Sequence, residues 1–214
     1  MELEQIAETV SDAIEMVPFT RSQVFYLSLK RIFDILVSLL AISVLWFPLV
    51  IVGAIVCIES KGPAIFKQKR MGKDGKVFVI YKFRTMRVEA PSEMAARVFS
   101  DSDEYITKFG GFLRRFSIDE LPQLINILIG DMSFVGYRPV CLVEEHLNEL
   151  RREYGVFRVR PGVTGLAQVM GRDDIGHEIK ARYDVKYVNN CSLKMDLFCF
   201  GKTFKTILTG EGNK

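Results

Sequence analysis

Ile35-Leu36-Val37-Ser38-Leu39-Leu40-Ala41-Ile42-Ser43-Val44-Leu45-Trp46-Phe47-Pro48-Leu49-Val50-Ile51-Val52-Gly53-Ala54-Ile55-Val56-Cys57-Ile58 is a run of 24 residues without a charge. That length suffices to cross a bilayer. Pro48, near its middle, removes a backbone donor and breaks or kinks a helix. Lys30 and Arg31 precede the run, and Lys61, Lys67, Lys69 and Arg70 follow it. With cations on both flanks, the rule that positive charge stays in the cytoplasm is not met cleanly by a single crossing. Two arrangements stay open: a kinked span, and a helix broken near Pro48 that enters and leaves by one face. In the second, Ser43 or other buried groups would satisfy the backbone freed at the break.

Outside this run the chain reads as a soluble domain, rich in Arg, Lys, Asp and Glu. Its 214 residues hold one compact domain beside the apolar segment and an N-terminal extension. The formal charge of +3 is unevenly spread. Glu2, Glu4, Glu8, Asp12 and Glu15 fall in residues 1–20, which carry no Lys or Arg. The remainder therefore has all 29 basic residues against 21 acids, a net of +8. A basic domain at a membrane suits anionic lipid and phosphorylated substrates. Nucleic acid fits poorly, because cations and acids interleave and no nucleic-acid motif occurs.

Leu3, Ile6, Val10, Ala13, Ile14 and Val17 recur at helical spacing between those acids, which predicts a short amphipathic helix ended by Pro18. A packing or homodimer helix suits it better than a regulatory one, and anionic lipid would repel it, so it is no membrane anchor. It is no signal peptide, lacking a basic start and an early apolar stretch. Cys57, Cys141, Cys191 and Cys199 have no zinc-like spacing and read as reduced structural thiols in a cytosolic domain. With His146 and His177 the only histidines, a metal would be a hard cation on carboxylates.

Residues 64–85 carry two apolar or alternating runs around Gly72-Lys73-Asp74-Gly75, which predicts a β-hairpin. Lys82 and Arg84 lie two apart and share a strand face, either as a solvated edge or as a ligand-facing pair. Further on, Arg114-Arg115-Phe116-Ser117-Ile118-Asp119-Glu120-Leu121-Pro122-Gln123 leads into Leu124, Ile125 and Leu128 at helical spacing. Ser117 and Glu120 fit a capping box, though Pro122 sits better if Asp119 is the cap. Adjacent acids at a helix start are stabilised by the macrodipole, so simple capping accounts for them. The chemical alternative is that Arg114 and Arg115 keep Asp119 ionised as a nucleophile toward phosphorus, while Glu120 binds Mg²⁺. Gly136-Tyr137-Arg138-Pro139, Arg160-Pro161-Gly162-Val163-Thr164-Gly165 and Gly171-Arg172 each set a cation among turn residues, an arrangement suited to phosphates. By position alone, Asp184 and Asp196 read as ion-pair or capping residues.

The ordered set Lys61-Gly62-Pro63, Phe66-Lys67-Gln68-Lys69-Arg70, Lys82-Phe83-Arg84-Thr85-Met86, Ser117-Ile118-Asp119-Glu120-Leu121-Pro122-Gln123, Gly130-Asp131-Met132-Ser133 and Arg160-Pro161-Gly162-Val163-Thr164-Gly165-Leu166-Ala167-Gln168 strongly resembles the bacterial sugar transferase family. These are the monotopic polyprenyl-phosphate phosphoglycosyl transferases. The resemblance covers about residues 28–208 and the minimal catalytic form. It implies transfer of a sugar 1-phosphate from a UDP-sugar to undecaprenyl phosphate, releasing UMP and initiating a surface glycan. It assigns Asp119 as the nucleophile that becomes a phosphosugar ester and Glu120 as the Mg²⁺ ligand. Lys82, Arg114, Arg138, Arg172 and Asp196 would hold phosphates or complete the site. It also implies a re-entrant helix with both ends cytoplasmic, hence a monotopic protein of the bacterial inner membrane. Two departures stand out: Phe47-Pro48 where the family has Ser-Pro, and Tyr137-Arg138-Pro139 where it commonly has Pro-Arg-Pro.

The expected fold is mixed α/β and helix-rich. An acidic amphipathic helix would occupy residues 1–20, a re-entrant membrane helix 28–59, and a cytoplasmic catalytic domain with a short hairpin 60–214. The competing function is a non-catalytic membrane scaffold for glycan-assembly enzymes; among enzymes, no P-loop occurs. No spacing rule reports on sugar hydroxyls, so the sugar is not legible.

Overall fold

A computed structural model of the chain describes residues 17–90, 102–171 and 175–209. The acidic N-terminal helix expected before Pro18 lies almost wholly outside these residues. The fold is helix-rich mixed α/β with two small sheets.

Helix α1 (Arg21–Glu59) contains the whole apolar run. A capping box starts it: the Thr20 side chain accepts from Gln23 N, and the Gln23 side chain accepts from Thr20 N. The helix is continuous through Pro48, whereas the sequence led us to expect a break there. A proline inside a long helix forfeits one hydrogen bond without ending it, so continuity is physically permitted. Ser43 does not serve the freed backbone: its hydroxyl donates to Leu39 O at 2.8 Å, one turn back.

The hairpin forms as expected, from β1 (Ile65–Met71) and β2 (Val77–Phe83), paired antiparallel with Phe66 opposite Lys82. Its turn holds Asp74 and Gly75 at positive φ. Beyond a short α2 (Ser102–Tyr105), α3 (Lys108–Arg115) is capped by Thr107, and a 3₁₀ turn (Ile118–Glu120) leads into α4 (Gln123–Ile129). Strand β3 (Ser133–Val135), α5 (Glu145–Glu153), β4 (Gly162–Thr164), α6 (Leu166–Gly171), α7 (His177–Asn189) and α8 (Leu193–Thr209) complete the chain. Strands β3 and β4 pair in parallel, a contact the sequence reading did not contain.

The main core gathers Val135, Tyr137, Val156, Phe157, Leu166, Val185 and Tyr187 between β3, α6, α7 and α8. A second cluster places Phe78 and Ile80 of β2 against Leu124 and Ile127 of α4, with Ala41, Ile42 and Leu45 of α1 packed on it. A third sets Val56 of α1 against Phe83 and Leu113, with Leu49 and Val52 alongside. One face of α1 thus meets the domain both before and after Pro48. Its opposite face leaves Leu36, Leu40, Val44, Phe47, Val50 and Ile58 exposed.

Both ends of α1 are tied to the same domain. Near the start, Lys30 pairs with Asp196, and Tyr26 Oη donates to Asp196 Oδ2 at 2.6 Å. Arg31 donates to Ile127 O at 2.6 Å and Leu128 O at 2.9 Å, satisfying the end of α4. At the far end, Arg84 donates to the Ser60 and Lys61 carbonyls, and Phe109 N donates to Glu59 Oε1.

Gly136, Gly162 and Gly165 allow the close approach of β3 to β4. A Cβ on Gly165 would lie 1.8 Å from Gly136 O, whereas one on Gly201 in α8 would meet nothing within 4 Å. Gly165→Ala is expected to lose about 1–3 kcal/mol from forced backbone displacement. Gly201→Ala is expected to be neutral or to gain up to about 1 kcal/mol. Thermal melts of the two variants in detergent check the pair. Equal behaviour would mean that the glycine contact does not constrain the fold.

Candidate active site

The residues between α3 and α4 fold so as to expose two carboxylates to three cations. Ser117 adopts left-handed backbone at φ 55°, and its side chain makes no capping bond. The capping box expected from Ser117 and Glu120 is therefore not formed. Instead the chain turns sharply, Asp119 and Glu120 occupy the 3₁₀ turn, and Pro122 sits at the cap just before α4, where its missing N–H has no cost.

Glu120 is the hub. Lys82 Nζ donates to Glu120 Oε1 at 2.6 Å, and Arg138 Nη2 donates to the same oxygen at 2.8 Å. Burial acts to raise its pKa, but Arg138 and Lys82 outweigh it and hold the carboxyl well below the usual range. Glu120 is thus ionised throughout the physiological range.

Asp119 differs. It is 8% exposed, and no ion pair or hydrogen bond engages its carboxylate among the described residues. Burial pushes its pKa up; Lys82, Arg114 and Arg138 pull it down, while Glu120 adds to the rise. Arg114 is oriented by its Nε–H, which donates to Thr85 Oγ1 at 2.8 Å. Two neighbouring carboxylates therefore have opposite environments, one locked between cations and one shielded from solvent without a direct partner. Such a split separates their roles: Asp119 retains free lone pairs for bond formation, and Glu120 is committed to charge.

Of the residues singled out from the sequence, Lys82, Asp119, Glu120 and Arg138 come together, with Arg114 beside them. Arg172 lies outside the described residues. Asp196 is not gathered with this group. Its partners are Lys30, Tyr26 and Tyr187, the last donating to Oδ1 at 2.8 Å, at the junction of α1 with α8. That agrees with its reading by position as an ion-pair residue. Arg84 does not join Lys82 either, because it passes the end of β2 and turns to the end of α1. Arg160 donates from Nε to Gly130 O at 2.8 Å, at the far end of α4.

Two positioning groups escaped the sequence reading. Asn126 accepts from Tyr81 N at 3.0 Å and donates to Val79 O at 2.7 Å, so its amide pairs with the open edge of β2 and fixes α4 beside Lys82. Arg151 donates through Nε and Nη2 to Asp184 Oδ2, at 2.9 and 2.6 Å, and through Nη1 to Arg138 O at 2.9 Å. Both members of the Arg151–Asp184 pair are at most 2% exposed. An Asn in an apolar helix and an Arg in a charged one carry no signal of such remote partners.

Asp119 and Glu120 offer the hard oxygen donors that suit Mg²⁺. Among the described residues no group of three or more His, Cys, Asp or Glu side chains gathers, so water and phosphate oxygens would complete any coordination.

Arg151→Met should destabilise by about 3–5 kcal/mol, because it leaves the Asp184 charge buried and unpaired. Adding Asp184→Leu should restore much of that loss. Thermal denaturation of wild type, single and double variants measures it. A single variant as stable as wild type would contradict a buried charged pair.

The sequence matches the bacterial sugar transferase family over residues 25–210. It is 36% identical over 98% of its length to an Aeromonas hydrophila protein, UDP-N-acetylgalactosamine-undecaprenyl-phosphate N-acetylgalactosaminephosphotransferase, of which it covers 52%. It is 40% identical to the exopolysaccharide production protein PSS of Rhizobium leguminosarum bv. phaseoli, over 87% of this chain and 98% of that one. To the undecaprenyl-phosphate galactose phosphotransferase of Salmonella typhimurium it is 36% identical, over 86% of this chain and 41% of the relative. The chain thus spans about half the Aeromonas relative and nearly all of the Rhizobium one. Matched over almost its whole described length, with its carboxylate pair set among cations, the chain belongs to the bacterial sugar transferase family.

Proposed function

We propose that the protein transfers a sugar 1-phosphate from a UDP-sugar to undecaprenyl phosphate, through a covalent phosphosugar on Asp119. The observation that carries this reading is the contrast within the carboxylate pair: Asp119 is shielded and uncommitted, beside a Glu120 clamped by Lys82 and Arg138. An Asp119 oxygen attacks the sugar-linked phosphorus, forming an acyl phosphate bond as the bond to the bridging oxygen breaks and UMP departs. An oxygen of undecaprenyl phosphate then attacks the same phosphorus, the Asp119 ester breaks, and the carboxylate is regenerated. Lys82, Arg114 and Arg138 offset the negative charge of pyrophosphate meeting carboxylate. Mg²⁺ held by Glu120 would, when bound, neutralise phosphate oxygens. Arg172 remains a candidate phosphate contact on the family resemblance alone.

A lipid substrate requires a route from the bilayer. Phe112 and Phe116 on and just after α3, and Ile125 and Ile129 on α4, are exposed apolar residues flanking Asp119 and Glu120. With the outer face of α1 they offer an apolar surface beside the site. Among the described residues, α1 is the one helix long and apolar enough to cross a membrane. A monotopic arrangement, with both ends of the unbroken α1 on one side, is supported by the Lys30–Asp196 and Glu59–Phe109 contacts, and the cations flanking the apolar run favour the cytoplasmic face. Those contacts fasten both ends of α1 to one domain, and a domain occupies one side of a membrane. The Aeromonas and Salmonella relatives, each 36% identical, are named for different sugars, which leaves the sugar to experiment.

Purified protein with undecaprenyl phosphate and Mg²⁺ is expected to release UMP from at least one of a panel of UDP-sugars. Asp119→Asn, folded and membrane-bound, is expected to release none. Turnover in that variant would remove Asp119 as nucleophile, and silence of folded, membrane-bound wild type would point first to a sugar nucleotide outside the panel and second to the scaffold reading. For topology, single cysteines at Ser22 and Lys61 in an otherwise cysteine-free protein are expected to react with a membrane-impermeant maleimide from the same, cytoplasmic side. Labelling from opposite sides would establish a spanning helix.

A further inference from the structure

A second cationic site lies at the opposite end of α4 from the carboxylate pair. A small, open cleft of about 50 Å³ is lined by Lys30, Asp34, Lys73, Ser133, Arg158 and Arg160 with apolar walls between them. These residues come from five places: the start of α1, the hairpin turn, β3, the 3₁₀ turn at Val156–Arg158, and the approach to β4. At about 1.5 Å rise per residue, α4 alone sets the cleft on the order of 10 Å from Asp119.

The charges do not cancel. Lys30 is paired with Asp196, and Asp34, which accepts from Phe134 N at 3.3 Å, leaves one acid against the three remaining cations. Lys73, Arg158 and Arg160 have no carboxylate partner among the described residues. Arg158 Nη2 donates to Val17 O, and Arg160 Nε donates to Gly130 O; backbone carbonyls orient a guanidinium without neutralising it. The Arg158 guanidinium packs 4.1 Å over the Phe19 ring, and its buried Nε makes no hydrogen bond among the described residues. Oriented guanidinium groups around a cleft, with an exposed ammonium at its rim, are donors arranged for an oxyanion. The Arg160-Pro161-Gly162 turn, which read as a phosphate contact, therefore faces this cleft rather than the carboxylate pair.

We propose that the cleft of Lys73, Arg158 and Arg160 is a binding site for a phosphate ester, separate from the catalytic cluster. The phosphate comes either from a lipid headgroup or from a soluble molecule. Lys73 reports on occupancy: it is exposed on the hairpin turn, and Lys76 on the same turn is exposed but does not line the cleft. The test is the rate of acylation of each lysine by an amine-reactive ester, read by peptide mass spectrometry on the full chain in nanodiscs.

In phosphatidylcholine discs, inorganic phosphate is expected to slow Lys73 saturably and leave Lys76 unchanged, which assigns a soluble source. Slowing that instead appears only in phosphatidylglycerol discs, without added phosphate, assigns a lipid headgroup. Arg158→Gln with Arg160→Gln should abolish either effect. Equal slowing of Lys73 and Lys76, no slowing in any condition, or slowing retained in the double variant would overturn the site. The wild-type comparison of the two lysines stands even where the double variant does not fold. Lys82 labelling reports the catalytic cluster independently, so the outcome does not depend on the proposed transfer reaction.

Discussion

The geometry of the carboxylate pair depends on one side-chain amide. A two-stranded hairpin leaves the outer edge of β2 with unpaired backbone groups, and such an edge invites a partner. Asn126 fills it, accepting from Tyr81 N and donating to Val79 O as a neighbouring strand would. The amide thereby fixes the distance between the hairpin, which carries Lys82, and α4, which follows directly from Asp119 and Glu120. Its own carbonyl accepts from Gly130, Asp131 and Met132, so the same residue also closes the end of the helix. Buried polar groups that lose a partner cost about 1–3 kcal/mol each, which makes this connection hard to replace.

From that clamp the remaining order follows. With Lys82 placed, Glu120 is drawn to it, and Arg138 approaches from the other side. Arg138 is itself held through its carbonyl by Arg151, whose charge is balanced by the buried Asp184. The chain thus spends a buried ion pair on aiming a backbone carbonyl. Among the described residues Asp119 has no direct partner, and a shielded carboxylate kept apart from the neighbouring ion pairs is the chemically distinctive property of the site.

The parts legible in the sequence were those whose causes are local. The hairpin of residues 64–85 could be read because apolar runs and a Gly-containing turn sit side by side, and it formed in that place. The helix after Pro122 was legible from Leu124, Ile125 and Leu128. The capping box at Ser117 was misread because the pattern gives spacing but not φ, and Ser117 takes a left-handed conformation that turns its hydroxyl away. Strands β3 and β4 are three residues each, too short for a period of two to show. Asn126 pairs with residues about 45 positions back, and Asp196 with residues about 170 back, so neither role leaves a local trace. The cations and acids of the cluster were identifiable as types in turns. Which of them meet was decided by long-range packing.

The junction of Lys30 and Tyr26 with Asp196 also orders events in time. These contacts join residues 166 and 170 positions apart, near opposite ends of the chain. At about 5–20 residues per second, synthesis separates the emergence of Lys30 from that of Asp196 by roughly 10–30 s. For that interval the longest apolar segment of the protein has left the ribosome, while the carboxylate that anchors its first turns does not yet exist. Throughout that interval the apolar face of α1 lacks the domain that will cover part of it. On the nascent chain, exposure of α1 precedes assembly of the fold.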